Sequence, residues 1–147
     1  MDKSLAVGLT ALCGGLIAMQ APINSVLGKR IGSLPAASAS FFIGTVVLVL
    51  LALAFGGGFG RLGEVQHLPW YYLLGGVLGA VYVTSVLVTV RTLGAGGVTA
   101  ATIAGQLTAA VLVDQLGILG ITKHPITLPR MAGVALLAAG TFLVVRY

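Results

Sequence analysis

Long apolar runs fill almost the whole chain, and short charged or Gly/Pro-rich breaks separate them. The five runs are Leu5–Leu27, Leu34–Phe55, Trp70–Val90, Val98–Leu119 and Leu128–Val145. At about 1.5 Å per residue, a helix over each run is long enough to cross a hydrocarbon core of roughly 30 Å. The pattern therefore predicts an all-α integral membrane protein, with a single domain of five transmembrane helices over residues 1–147.

The composition agrees with a chain that lies almost entirely in lipid. Hydrophobic residues make up 58% of the chain and charged residues only 7%, whereas a soluble domain carries about a quarter charged residues. The net charge of +5 does not indicate nucleic acid, because the basic residues stand singly or in one pair at helix ends and form no patch. We expect these side chains to reach the lipid head groups.

The basic residues divide evenly between the two ends of the predicted bundle. Lys3, Arg61, Lys123 and Arg130 fall on the N-terminal side, and Lys29, Arg30, Arg91 and Arg146 on the other. Four against four leaves the positive-inside rule without a preference. The hypothesis is dual topology, in which copies insert both ways and pair as an antiparallel homodimer. The alternative is that a few residues outweigh the rest, or that another subunit fixes the orientation.

The first helix carries a polar face. At 100° per residue, Thr10, Cys13, Ile17, Gln20 and Asn24 fall within about 80° of one another. Amides are costly in lipid, so Gln20 and Asn24 are expected to face protein or water. Pro22, between them, should kink or locally unwind the helix and free the carbonyl near Ala18. Both amides are candidate solute ligands, and hydrogen bonding between helices is the alternative.

The fourth helix repeats this pattern with Thr99, Thr102 and Gln106. Gln106 lies near the middle of its span, where an unsatisfied carboxamide would cost several kcal/mol. Gln106 and Thr102 are therefore candidate solute-binding residues. Asp114 is the one acid inside a predicted span, and it is either a proton-coupling residue or a structural acid within reach of interfacial water or Lys123.

The third helix presents small residues and an aromatic one. Gly75 and Gly79 form a Gly-x-x-x-Gly pattern that permits close helix packing. Tyr82 is a candidate wall of a solute cavity, although packing is the alternative for this side chain also.

The residues do not form an enzyme site. His67 and His124 lie in loops without acids and cysteines at metal-ligand spacing, and the few serines have no visible His/Asp framework. Cys13, the single cysteine, rules out a multi-thiolate site and is expected to be a small packing residue. We therefore expect no catalytic residue, metal or cofactor.

Several short segments resemble one transporter family. They are Pro69-Trp70-Tyr71 with Gly75-Gly76, Gly105-Gln106-Leu107, Asp114-Gln115-Leu116-Gly117 and Arg130-Met131-Ala132-Gly133, with Gln20 and Asn24 as an N-terminal counterpart. In this order they resemble the short five-helix branch of the drug/metabolite transporter superfamily, an inner-membrane group. The resemblance implies half of a ten-helix inverted-repeat fold, completed here by antiparallel dimerisation.

The resemblance also implies a function. Inverted repeats suit alternating access to a site near the membrane midplane, so we expect a bacterial inner-membrane transporter of a small polar solute. Gln20, Asn24, Gln106 and Thr102 would contact the solute, and Tyr82 would line the cavity. The expected partners are a second copy, membrane lipid and the solute. A passive channel and a non-transporting subunit of a larger complex remain the alternatives.

Overall fold

The computed structural model describes residues 2–118 and 122–147, and all regular secondary structure in these residues is helical. The elements are α1 (Lys3–Ile31), α2 (Ser33–Phe55), 3₁₀ helices at Leu62–His67 and Trp70–Leu73, α3 (Leu74–Leu116) and α4 (Leu128–Arg146). Within these residues, four helical stretches are long and apolar enough to cross a membrane. The prediction of an all-α chain of membrane-spanning helices is confirmed.

A single residue, Gly32, separates α1 from α2. Its φ of 94° lies in the left-handed region, which glycine adopts without a steric penalty. The sequence predicted a connection from Leu27 to Leu34, but α1 continues to Ile31. Lys29 and Arg30 occupy its last turn, where basic side chains interact favourably with the helix dipole.

The helical backbone of α3 is broken at Gly94, where φ is 68° and ψ is 170°. This break divides α3 into the helical segments 74–93 and 95–116, so the described residues contain five long helices, the number that the apolar runs predict. The predicted seven-residue connection over 91–97 is wrong, because every residue in that stretch except Gly94 is helical in conformation. Glycine is the residue that can accommodate this backbone turn without a Cβ clash.

The connection between α2 and α3 is longer and contains two 3₁₀ helices. It follows Phe55 and reaches the second 3₁₀ helix, Trp70–Leu73, after Pro69. The predicted third helix therefore begins as a 3₁₀ helix at Trp70 and becomes α-helical at Leu74. At the other end, α3 stops at Leu116, and the predicted end at Leu119 lies outside the described residues.

The chain divides into two compact units, and Met19–Arg91 is the second of them. Ala36, Ala37 and Leu87 are its buried core, with Val83 packed against them. The two alanines allow segment 74–93 to approach α2 closely. Further along the same two helices, a Cβ at Gly79 would lie only 3.5 Å from the ring of Phe41.

The first unit consists of Met1–Ala18 and Thr92–Tyr147. In it, α4 packs against segment 95–116: the Thr141 hydroxyl donates a hydrogen bond to the Ala100 carbonyl at 3.0 Å. Nearby, a Cβ at Gly97 would lie 3.6 Å from Val145. Small residues and a hydroxyl thus hold these two helices together, as is usual between helices in lipid.

Large apolar side chains of the four α-helices are widely exposed. Phe42 is 68% exposed on α2 and Leu136 is 73% exposed on α4. Exposing such large apolar surfaces to water is unfavourable, whereas lipid chains are as apolar as these side chains and solvate them well. The exposure pattern is that of helices which face a bilayer.

Candidate functional site

Asn24 is the most enclosed of the predicted site residues. It lies on α1 with 7% of its surface exposed, and its Nδ2 donates a hydrogen bond to the Ser40 hydroxyl of α2 at 3.1 Å. The face of α1 that packs inside this unit consists of Ala21, Asn24, Ser25 and Gly28. Asn24 therefore links α1 to α2. In the sequence analysis, such hydrogen bonding between helices was the alternative to solute binding.

Gln20 lies one turn before Asn24 but is exposed. Of the kink or local unwinding predicted at Pro22, the unwinding does not occur, because α1 stays helical through this residue. Proline nevertheless lacks an N–H, and the carbonyl of Ala18 cannot receive its usual helical hydrogen bond. The exposed carboxamide of Gln20 and this carbonyl are two polar groups in a membrane-spanning helix.

Gln106 is also exposed, and it lies in the middle of segment 95–116. Thr102, one turn earlier on the same side, is half-buried. Neither Gln20 nor Gln106 makes a side-chain hydrogen bond within the part of the chain that the structure describes. An amide at this depth needs protein or water against it, because lipid offers no partner.

The predicted residues on segment 74–93 differ in their surroundings. Tyr82 is half-buried, and Gly79 faces the Phe41 ring. A Cβ at Gly75 would have no neighbour within 4 Å. Of the two glycines, Gly79 is at a helix contact within this unit, whereas packing at Gly75 would require a partner outside it.

Asp114 forms an ion pair at the end of segment 95–116. Its Oδ2 accepts from Arg130 Nη1 at 3.2 Å, and the two side chains are 29% and 36% exposed. Arg130 also donates to the His124 carbonyl, and the His124 N–H donates to the backbone carbonyl of Asp114. The partner expected from the sequence was Lys123, and the structure pairs Asp114 with Arg130 instead.

Gln115 adds a further tie to the same region, since its Oε1 accepts a hydrogen bond from the Ile126 N–H. Sequence reasoning missed the roles of Gln115 and Arg130. The signal in the sequence was an acid, Asp114, near the end of one predicted helix and a base, Arg130, near the start of the next. Across a short hairpin, those two ends lie at the same membrane surface.

A second group that the sequence did not single out surrounds Arg91. Its Nε donates to the Ser25 hydroxyl at 3.4 Å and its Nη2 to the Ser33 hydroxyl at 3.2 Å. The partners lie 66 and 58 residues away along the chain, so no local pattern predicts this contact. It fixes the end of segment 74–93 beside the junction of α1 and α2.

The described residues contain no group of three His, Cys, Asp or Glu side chains that could hold a metal ion. Cys13, which the sequence suggested is a small packing residue, is exposed on α1. The polar groups available in the membrane-spanning helices are carboxamides, hydroxyls and backbone carbonyls. They can donate and accept hydrogen bonds to a solute.

One comparison with known proteins identifies a family. The model of the family described as "Putative inner membrane exporter, YdcZ" matches residues 5–143. No curated protein and no solved structure matches the chain. The match covers every α-helix of the structure apart from a few terminal residues of α1 and α4.

Proposed function

Because the chain belongs to this family of inner-membrane exporters, we propose that it carries a small polar solute by alternating access, as a dual-topology antiparallel homodimer. The family is one of multi-pass inner-membrane transporters and not an enzyme family. The resemblance to a short transporter family, seen first in the sequence motifs, is therefore confirmed. The solute, the carrier mechanism and the dimer are the proposal.

The exposed carboxamides of Gln20 and Gln106 carry the proposal. Each lies in a membrane-spanning helix and is exposed on its own unit. A carboxamide left in hydrocarbon costs several kcal/mol, so a water-filled cavity, a solute or a second copy must cover it. A transport pathway supplies the first two, and dimerisation supplies the third.

The chemistry of these groups favours one class of solute. Amides, the Thr102 hydroxyl, the Tyr82 side chain and the free Ala18 carbonyl offer hydrogen bonds but no net charge. Asp114, the acid within the spans, is paired with Arg130. A neutral, zwitterionic or weakly charged metabolite fits such groups better than a strongly charged ion does.

The position of the basic residues supports dual topology. Arg91 bonds to Ser33, the residue that follows Lys29 and Arg30 across Gly32, so these three cations belong to one membrane surface. Arg130 and Lys123 accompany the junction of α3 and α4. The balance of four cations on each side leaves insertion without a preferred direction.

Solute counterflow in proteoliposomes tests the mechanism. Vesicles are loaded with one amine-bearing or hydroxyl-bearing metabolite at a time, and uptake of the labelled form is followed. A carrier gives faster uptake when the same solute is present inside, whereas a channel shows no such acceleration. Equal uptake with and without internal solute would contradict alternating access and favour the channel.

Purification tests the remaining alternative. A non-transporting subunit would copurify with a different membrane protein in fixed stoichiometry, whereas the proposed carrier is isolated as a homodimer. Cross-linking between copies in native membranes, before detergent is added, distinguishes these results from aggregation during extraction.

A further inference from the structure

Arg91 is held at the membrane surface by two hydroxyl groups. The Nε bond to Ser25 and the Nη2 bond to Ser33 fix the plane of the guanidinium. Ser25 is 5% exposed, whereas Arg91 itself is exposed. The remaining guanidinium N–H groups therefore face outward from a fixed position.

The adjacent backbone is shaped to leave room for this guanidinium. A Cβ at Gly28 would lie 3.0 Å from Arg91 Nη2 and 2.8 Å from Leu87 Cδ2. Contacts this short would displace the arginine or the leucine. A residue without a side chain at position 28 thus allows Arg91 to lie across the end of α1.

Within the unit Met19–Arg91, no carboxylate pairs with the positive charge of Arg91. The contacts of Arg91 are neutral hydroxyls, and Glu64 is the one acid in the unit Met19–Arg91. Glu64 comes after the end of α2, whereas Arg91 contacts Ser33 at its start. The 23 residues of α2 span about 34 Å, so Glu64 is too far away to pair with Arg91. Lys29, next to Gly28, adds a second cation.

The start of α2 strengthens the attraction for an anion. Gly32 precedes the helix and makes no side-chain cap. Pro35 has no N–H and the Ala36 N–H bonds to the Gly32 carbonyl, so the N–H groups of Ser33 and Leu34 are the ones that remain available in the first turn. The ends of membrane-spanning helices lie at the level of the lipid phosphates. An arginine fork matches the oxygens of a phosphate group in geometry and charge.

We propose that Arg91, together with Ser33 and Lys29, binds the phosphate group of an anionic phospholipid. Lys29 would repel the ammonium group of a zwitterionic lipid, so a net negative head group is preferred. This site is separate from the proposed transport function and does not depend on it.

Native mass spectrometry of the purified protein with added phosphatidylglycerol or phosphatidylcholine tests the proposal. We expect retained phosphatidylglycerol with the wild type, and at least about tenfold weaker binding with Arg91→Gln, since a charged hydrogen bond contributes more than 1.4 kcal/mol. Arg30→Gln is the matched control. It removes the same charge at the same membrane surface, but about 160° around α1 from Gly28, and should retain the lipid.

A second variant keeps the test valid if Arg91→Gln lowers the folded yield. Lys29→Gln leaves both hydroxyl contacts of Arg91 intact and should weaken phosphatidylglycerol binding while the protein remains folded. Equal lipid retention by wild type, Lys29→Gln and a folded Arg91→Gln would overturn the proposal. Equal losses in Arg30→Gln and Arg91→Gln would also overturn it, since they indicate general surface attraction.

Inorganic phosphate distinguishes a lipid from a soluble ligand. Millimolar phosphate should leave phosphatidylglycerol bound, because the lipid also gains contact between its acyl chains and the helices. Displacement of the lipid by phosphate at this concentration would overturn the assignment to lipid. None of these measurements involves transport, so their failure leaves the proposed carrier function in place.

Discussion

At the scale of single residues, the amides of the membrane-spanning helices are satisfied in different ways. Asn24 is buried and bonded to Ser40, and Gln115 accepts a backbone N–H at a helix end. Gln20 and Gln106 are exposed. An amide that already has a partner stabilises the bundle, whereas an amide without one remains available to a solute or to a second copy. The two kinds predict different results on mutation.

Gln106→Leu should abolish solute uptake while protein yield and dimer formation stay unchanged. Leucine removes both hydrogen-bonding atoms but is at least as stable in the membrane as glutamine. Thr108→Val is the control on the same segment. The Thr108 hydroxyl already donates a hydrogen bond to the Ala104 carbonyl of the same helix, so it is not expected to bind the solute. Uptake in liposomes is the measurement, and normal uptake by Gln106→Leu would remove this residue from the solute site.

Asn24→Ala and Ser40→Ala should show coupled losses of stability. The hydrogen bond between them joins α1 to α2, and such bonds in membranes contribute about 0.6 kcal/mol on average. A double-mutant cycle in detergent, with unfolding followed by circular dichroism, measures this coupling. Strictly additive losses would show that the bond adds nothing to stability, and that Asn24 contributes through packing or solute contact alone.

At the scale of helices and loops, two local features define the last two connections of the chain, the break within α3 and the connection between α3 and α4. Gly94 breaks α3 by a positive φ. The Asp114–Arg130 ion pair, with the Gln115–Ile126 bond, ties the residues before α4 to the end of α3. The first feature depends on the backbone of one residue. The second depends on side chains that lie on both sides of the connection.

Asp114→Asn should lower stability and leave any proton dependence of transport intact. The carboxylate is already paired with Arg130 at 3.2 Å, and a pair this exposed contributes up to about 1 kcal/mol. Thermal unfolding and uptake at several pH values are measured together. Arg130→Gln should cause a similar loss of stability. A pH dependence that disappears in Asp114→Asn but persists in Arg130→Gln would instead identify Asp114 as the coupling acid.

Gly94→Ala should destabilise the protein by about 1–3 kcal/mol, the usual cost of a side chain in an unfavourable backbone conformation. Gly105→Ala is the matched control, since it lies in helical conformation with no neighbour within 4 Å of a Cβ. The control should be neutral or slightly stabilising. Equal melting temperatures of the two variants would show that the break at Gly94 does not need glycine.

Helix number and position follow from the sequence, because about 20 apolar residues suffice to define a span in lipid. The connections do not follow so directly. Gly32 and Gly94 are two of 22 glycines, and nothing local distinguishes a glycine at a break from one inside a helix. The contacts of Arg91 join distant parts of the chain. Polarity indicated that Gln20, Asn24 and Gln106 were unusual, but only packing separates the enclosed amide from the exposed ones.

At the scale of the whole molecule, charge determines the direction of insertion. The eight basic residues are divided equally between the two membrane surfaces predicted for the five helices. Long loops that could override short-range charge are absent from the described residues. The longest connection between their α-helices is 56–73. A balance this even should be sensitive to the loss of one or two charges.

Removing charges from one membrane surface should convert the dual topology into a single orientation whose direction is predictable. With the C-terminus fused to a cytoplasm-active fluorescent protein or a periplasm-active phosphatase, the wild type should give strong signals from both. The double variant Lys29→Ala/Arg30→Ala leaves more positive charge on the N-terminal side, which should then stay in the cytoplasm. Five spans place the C-terminus on the opposite side, in the periplasm, so the phosphatase should be the active reporter. Lys3→Ala with Lys123→Ala should have the opposite effect.

A balanced pair provides the control for these charge variants. Lys3→Ala with Lys29→Ala removes one cation from each surface, so both reporters should remain active as in the wild type. Solute transport should fall in both unbalanced variants, because an antiparallel dimer needs copies in each orientation. Co-expression of the two unbalanced variants should restore it, since each supplies the orientation that the other lacks. A single active reporter in the wild type, or full transport by one unbalanced variant alone, would contradict the antiparallel homodimer.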